Sequence, residues 1–341
     1  SWQQALEKSL NHPDRVVQES AIRSLATRRI VSSGIESLVD DADQPASLRL
    51  AALAAFAERP LTVARFDFLA GHFDKARPAL TRLAAARVAA GVRLDADQQV
   101  RIAGLLGQAG PLELSVLLKA CHSLESPRVS RAVLAGLESA PAIESLAGDE
   151  LATALERMPV GLAGRSRRLL QRVDKGVVER RAALKKQLAT LSGGDATRGR
   201  AVFFGKQAAC SGCHTIGTQG GRVGPALTAI GDIRQSRDLL ESILLPSATF
   251  ARGFRSYTVA TEAGRVHTGV ISRETTKAIW IRSADLAEIR VPRDQVEAIR
   301  ESATSIMPKG LDKTLSPGDL RDLLAFLKSC RKTATKVSTT P

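Results

Sequence analysis

Two cysteines three positions apart, followed at once by histidine, stand at Cys210-Ser211-Gly212-Cys213-His214. This is the spacing of c-type haem attachment. Each thiol can add across one haem vinyl group, and the two-residue gap lets both sulfurs reach the same porphyrin edge. The adjacent imidazole is then drawn under the iron as its proximal ligand. Three other readings compete. A chance match is one, although cysteine is scarce, with four in 341 residues. A redox dithiol needs a strand before it and a helix opening at the first cysteine, whereas Asp195 to Gly205 has a helical pattern. A zinc knuckle needs a second ligand pair, and Cys121 and Cys330 are isolated from each other.

The surroundings of the motif narrow the choice. Upstream, Gly199 and Phe203 sit four apart on an expected helix that Asp195 can cap. Downstream a glycine-rich loop, Gly217 to Gly224, ends in Gly224-Pro225-Ala226-Leu227. Far downstream, Ser305 to Gly310 holds Met307, one of two methionines. An amphipathic helix follows over Pro317 to Ser329, with Leu320, Leu323, Leu324 and Leu327 on one face and Phe326 beside it. This order resembles a class I cytochrome c, whose first and last helices cross beside the haem. The resemblance implies Met307 as distal ligand to the iron and the Pro225 carbonyl as acceptor for the second N–H of His214, which would hold the tautomer. A lone methionine is more often a core gap-filler. Met307 lies, however, in a loop bounded by Pro and Gly with little expected to pack against, and a thioether is a soft donor suited to haem iron. Met158, before Pro159, reads as core.

The length allows two or three domains with ample buried core. A formal charge of +14 and a pI near 10.2 predict attraction to an acidic partner. Nucleic acid is disfavoured, because aromatics are 4%, the arginines are spread along helices, and no nucleic-acid-binding motif is present. No apolar run reaches the eighteen or so residues of a membrane span. Ser1-Trp2-Gln3 opens directly into an expected helix, so this stretch is not read as a signal peptide. Haem c is attached outside the cytoplasm, so a periplasmic or otherwise exported chain is expected, processed or cut from a larger protein. No disulfide is assigned to Cys121 and Cys330.

Residues 1–192 read as successive helices with a period of about 32 residues, the mark of a helical solenoid. Pro13 to Leu25, Pro45 to Phe56 and Pro78 to Val88 each begin with a proline, where its missing N–H costs nothing. They continue as Val17-Ala21-Leu25, Leu48-Ala52-Phe56 and Leu80-Ala84-Val88, and Pro127 to Leu137 is a further candidate. The pattern resembles HEAT-type repeats; a plain Ala/Leu-rich bundle is the alternative. His12, His72 and His122 lie near helix ends and read as surface or capping residues. Arg165 to Leu191 is strongly basic, through Arg165, Arg167, Arg168, Arg172, Lys175, Arg180, Arg181, Lys185 and Lys186. It reads as a solvated helix pair, or else a docking face, leading to a hinge at Ser192-Gly193-Gly194 and a domain boundary near Gly193.

A second domain is expected over 193–331, with a flexible tail at 332–341. After a helix from Arg237 to Leu245, stopped by Pro246, the periodicity changes to two. Strands are predicted at Arg255–Thr261, Arg265–Ile271, Lys277–Arg282, Glu288–Val291 and Gln295–Glu301, with a hairpin turn at Gly264. They form an antiparallel β insertion over about 253–302, between the haem-attachment half and the Met307 loop. His267 reads as an exposed strand histidine.

The stretch from about Gly194 to Ser329 resembles the haem-binding domain of Planctomycete/Verrucomicrobium type. The matching pieces are Gly-Arg-Ala-Val-Phe (199–203), Cys-Ser-Gly-Cys-His (210–214), Gly-Pro-Ala-Leu (224–227), Val-Pro-Arg-Asp-Gln-Val (291–296) and Met-Pro-Lys-Gly (307–310). They cover roughly two fifths of the chain. Members of that family often stand at the C-terminus of large exported proteins, behind helical repeats and a propeller-type dehydrogenase domain; no propeller pattern is present here. The expected architecture is therefore mainly α, a HEAT-like α-solenoid followed by a class I cytochrome c-like domain carrying the β insertion. The expected function is electron transfer by one covalent haem c with His214 and Met307 as axial ligands. Phe203, Ile216, Leu227, Ile230 and Leu244 would line a dry pocket, and Arg222 and Arg252 would meet the propionates. The partner would be an acidic redox protein or a dehydrogenase domain, and the chain alone would not be an enzyme. Two readings rival this one: a haem enzyme or sensor with an open distal site, and an interaction module in which haem staples the fold.

Overall fold

The computed structural model describes residues 2–146, 148–188, 193–262, 266–283 and 288–331; over these the chain is mostly helical and holds a five-stranded antiparallel sheet. Two units are separable, Ser1–Val173 and Asp174–Pro341. Among the described residues no helix is long and apolar enough to cross a membrane.

The first unit runs through α1 (Trp2–Ser9), α2 (Arg15–Thr27), α3 (Ser33–Asp40), α4 (Ala46–Leu53), α5 (Val63–Ala70), α6 (Ala79–Gly91), α7 (Ala96–Leu105), α8 (Leu114–Ala120), α9 (Pro127–Ser139) and α10 (Gly148–Glu156) into α11 (Ala163–Leu188). Side-chain caps start several of them. Asp14 accepts from the amide of Val16, Ser32 from Ile35 and Thr62 from Arg65, while Asp95 and Gln98 close a capping box. Helices pack on the second one along: α2 on α4, α4 on α6, α6 on α8, and α7 on α9. The last of these crossings is close, since a Cβ on Gly136 would stand 2.2 Å from the Ala103 carbonyl oxygen.

The stripe Leu48-Ala52-Phe56 is buried as its spacing predicts; in the first copy Ala21 and Leu25 are buried but Val17 is exposed, and in the third Val88 is buried but Leu80 is exposed. Besides Val88, α6 buries Ala79, Leu83 and Ala86. Those positions follow the i, i+4, i+7 row, and Leu80 lies one residue, about 100°, off it. His72 is a second correction. It is buried, because a 3₁₀ turn (Gly71–Phe73) carries α5 on and sets the imidazole edge-on against Phe68, with ring centroids 4.6 Å apart. Nδ1 donates to the Phe68 carbonyl at 2.8 Å, and burial lowers the ring's pKa. His12 is exposed and accepts from the Asp14 amide at the entry to α2; His122 is exposed. The basic segment is not a helix pair: α11 is continuous. Arg165 forks onto Glu138 at 2.9 and 2.7 Å, and Arg172 donates to the Glu138 and Ala140 carbonyls, so part of its charge is spent on holding α11 to the end of α9.

The second unit contains α12 (Ala196–Phe204), the single turn α13 (Cys210–Cys213), a hairpin of β1 (Thr215–Ile216) and β2 (Gln219–Gly220), α14 (Ile230–Ile233), α15 (Ser236–Leu244), β3 (Ser256–Thr261), β4 (Val266–Glu274), β5 (Ala278–Arg282), β6 (Glu288–Pro292), β7 (Val296–Glu301) and α16 (Pro317–Ser329). Helices α12 and α16 cross in direct backbone contact. A Cβ on Gly199 would lie 1.9 Å from the Asp322 carbonyl oxygen, and one on Gly194 2.3 Å from that of Arg321. A staple seals the crossing: Asp322 accepts from the Asp195 amide at 2.7 Å and from Arg198 Nε at 2.6 Å. Below it Phe203 packs on Phe326, and Leu239, Leu240, Ile243 and Leu244 of α15 join Leu320, Leu323, Leu324 and Leu327 in one core.

The sheet has the order β6-β5-β4-β3-β7, with every neighbour antiparallel. Val259, Ile279, Ile281 and Val291 form its buried face. Its first and last strands are neighbours, so the chain leaves and returns at one place, where the Ser302 amide donates to the Ser256 carbonyl at 2.9 Å. About fifty residues can therefore be inserted between α15 and the Met307 loop without parting them. His267 is half-buried rather than exposed, because it pairs across β3 with the fully buried Val259. Gly264, Arg265, Ser192 and the tail at 332–341 lie outside the described residues.

Candidate functional site

The Cys210–Cys213 part of the Cys-Ser-Gly-Cys-His segment is one turn of helix. In α13 the thiols of Cys210 and Cys213 stand at i and i+3, the spacing that brings two side chains to one face. The chain enters through Ala209, held at φ 51°, in the left-handed region that a β-carbon disfavours. It leaves through His214, which is extended and whose amide donates to the Cys210 carbonyl at 3.0 Å. Burial pushes the Cys210 thiol up to about 11. A thiol so held is protonated at neutral pH, the opposite of the depressed first cysteine of a redox dithiol.

The glycine-rich loop folds back on this turn and is stitched to it. The Gly221 amide donates to the Ser211 carbonyl at 2.8 Å, and those of Val223 and Gly224 to the Cys213 carbonyl at 3.1 and 2.9 Å. Such contact leaves no room for side chains: a Cβ on Gly221 would lie 2.0 Å from the Gly212 oxygen, and one on Gly220 2.1 Å from that of His214. Thr215 Oγ1 donates to the Gly221 carbonyl at 2.6 Å, and the Leu227 amide to the Thr215 carbonyl at 2.8 Å. The start of the stretch read as a loop is a short hairpin, in which β2 pairs with β1 just before it.

These contacts fix one ring. His214 Nδ1 is 2.8 Å from the Pro225 carbonyl oxygen. A carbonyl can only accept, so Nδ1 carries the proton and Nε2 the lone pair. Gly224 lies against the ring face, where a Cβ would approach Cε1 to 2.6 Å and Nδ1 to 2.8 Å. Burial lowers the imidazole's pKa, with the Pro225 bond opposing it. The result is a neutral imidazole with one defined tautomer.

Met307 is brought to the same apolar cluster as the motif. It is half-buried there with Cys210, Ile216, Leu227 and Ile230, against a core that includes Phe203 and Leu244. The expectation that Met307 has little to pack against is thus corrected. The loop is short and irregular, but two hydrogen bonds hold it: the Ser305 amide donates to Ser247 Oγ at 3.0 Å, and the Ser305 hydroxyl accepts from the Met307 amide at 3.1 Å. Arg222 and Arg252 are exposed. The Arg222 carbonyl accepts from Arg282 Nη1 at 2.5 Å. Cys121 and Cys330 are both free and buried.

Several contributors were not legible in the chain. Asp322, Ser247, Ser305 and Arg282 carry no local signal of their partners. Helix α14 was not expected, although Gly231 marks it, since a Cβ there would stand 2.3 Å from the Lys328 oxygen. No family model matches the chain, and no curated protein matches it.

Proposed function

We propose that this chain is an exported electron-transfer protein carrying one covalent haem c, with His214 and Met307 as axial ligands. The observation that carries the reading is the setting of His214. Its Nδ1 proton is committed to Pro225 and its ring is backed by Gly224, so Nε2 carries the lone pair, and the residue directly follows a turn that holds two thiols at i and i+3. That donor set fits a c-type haem better than a redox dithiol or a zinc site. When bound, the haem supplies a ferric/ferrous couple that takes up and releases one electron at a time.

The protein's residues then divide the work. Cys210 and Cys213 would hold the porphyrin through their thiols on the turn of α13. The Pro225 carbonyl raises the basicity of His214. The Met307 thioether would favour the ferrous state and so a comparatively high potential. Phe203, Ile216, Leu227, Ile230 and Leu244 exclude water, which acts in the same direction. We read the succession of helices in the first unit as a HEAT-like solenoid that serves as scaffold, and the crossing of α12 and α16 as that of a class I cytochrome c. With its excess of basic residues the chain would be steered to an acidic redox protein or dehydrogenase domain.

The test is spectroscopic, on protein from a host competent for cytochrome maturation. The ferric form should show the weak far-red band of methionine-ligated iron, and Met307→Ala should abolish it, lower the potential and open the iron to cyanide. Colourless material with no haem on either thiol of the motif would refute the reading. Haem-bearing protein that lacks the band and binds carbon monoxide at once would replace it with the open-site enzyme or sensor.

A further inference from the structure

We propose that Arg282, on the inserted sheet, is a positioning residue for His214 and acts through the glycine-rich loop. The inference rests on the haem reading of that histidine. Sixty positions separate Arg282 from Arg222, yet Nη1 of the one donates to the backbone carbonyl of the other at 2.5 Å. The guanidinium is aimed by its neighbours. Glu288 stands directly across from it on β6, and its Oε1 accepts from Arg282 Nε at 3.3 Å and Nη2 at 3.0 Å. The same oxygen accepts from Ser272 Oγ at 2.7 Å, and Ser272 sits at the irregularity of β4 between Ile271 and Arg273. Three strands thus orient one planar fork.

An exposed Arg–Glu pair by itself contributes little to stability. What distinguishes this one is the third hydrogen bond and where it lands. Gly221, Val223 and Gly224 are tied by their amides to the turn of α13. Arg222, between them, is gripped from the opposite side by the sheet. Two residues on, Gly224 backs the His214 ring, and three residues on, the Pro225 carbonyl accepts a hydrogen bond from its Nδ1. The loop is therefore clamped between the attachment turn and β5. The strength of the His214–Pro225 bond sets the basicity of the imidazole and with it the balance of ferric and ferrous iron. This gives the insertion a role that its place in the chain does not suggest: it holds the proximal loop.

The experiment compares wild type with Arg282→Gln, Arg282→Lys, Glu288→Gln and a control, Arg273→Gln. The control lies on the same sheet with its guanidinium over Trp280, 4.0 Å from the ring centre. In haem-bearing protein, Arg282→Gln should speed hydrogen exchange at the Val223 and Gly224 amides by about tenfold. It should also move the ferric/ferrous equilibrium about threefold toward ferrous, because a looser Pro225 bond makes His214 a poorer donor to ferric iron. Arg282→Lys, with one point donor in place of a fork, should fall between. Glu288→Gln should show a smaller shift of the same sign, and Arg273→Gln none. Unchanged exchange in Arg282→Gln, an equal effect in Arg273→Gln, or faster exchange with an unmoved potential would each overturn the proposal. If the protein proves to carry no haem, the functional reading fails, while exchange at the two amides of the haem-free chain still decides whether the clamp exists.

Discussion

The backbone of Gly224 lies flat against the imidazole of His214, with room for a hydrogen on its α-carbon and for nothing larger. Gly224→Ala must tilt the ring or drive the loop away, and either movement stretches the 2.8 Å bond to Pro225. The expected cost is about 1–3 kcal/mol of unfolding free energy, the range for overpacking a close contact. Denaturant unfolding measures the loss, and the His214 Nδ1 proton resonance should shift. A variant with wild-type stability and an unshifted resonance would mean the ring is not confined by this glycine.

The crossing of α12 and α16 makes a prediction in which two effects oppose each other. Alanine is a better helix former than glycine by about 1 kcal/mol. At Gly199, however, the added carbon would lie 1.9 Å from the Asp322 oxygen and 2.7 Å from the Phe326 Cβ. Separating the helices also unseats Phe203 from Phe326. Gly199→Ala should therefore destabilise by about 3 kcal/mol, read as a lowered thermal midpoint. A raised midpoint would show that propensity wins and that the helices can part cheaply.

Acid should loosen the same crossing. The hydrogen bond from Arg198, aided by the Asp195 amide, holds the Asp322 carboxyl below its ordinary 3.8. A depressed carboxyl stabilises the fold above its unfolded value, and that contribution disappears as pH falls through the lowered folded value. Wild type should thus lose stability more steeply than Asp322→Asn below the ordinary 3.8, and the two should differ most at neutral pH. Urea midpoints collected down the acid limb will decide it; parallel curves would contradict the assignment.

The first thiol of the motif should be slow to react in haem-free protein. With its titration pushed up to about 11 by burial, Cys210 is almost wholly protonated at neutral pH. Its alkylation rate should climb with pH to a midpoint near that value and stay far below that of an exposed thiol at neutrality. Fast alkylation at neutral pH, saturating well below the midpoint expected, would favour the redox-dithiol reading.

What could be read in advance was local. The Asp195 cap, the helix over Pro317–Ser329 and the start of α9 at Pro127 rest on residues within one turn of each other, and they stand where the spacing puts them. The five strands likewise follow alternation within each segment, with ends shifted by a residue or so at Ser256, Ala278 and Val296 and an extension of β4 to Glu274. Where a helix is rich in alanine on every side, as α6 is, the pattern is nearly the same at neighbouring rotations, and Leu80 was placed on the buried row although it lies one residue off it. His72 was misplaced for a different reason: a position near a helix end says nothing of the Phe68 ring packed over it.

By itself the sequence determined the helices over 196–204, 236–244 and 317–329, the five strands between them and the Cys-Ser-Gly-Cys-His spacing, because each depends on neighbours a few positions away. Tertiary structure alone decided that Asp322 would seal a crossing 127 positions from Asp195, that Ser247 would hold the Met307 loop across 58, and that Arg282 would reach the Arg222 carbonyl across 60. A hydrogen bond between distant segments leaves no periodicity to read, since its partners come together only when apolar burial has folded the chain between them.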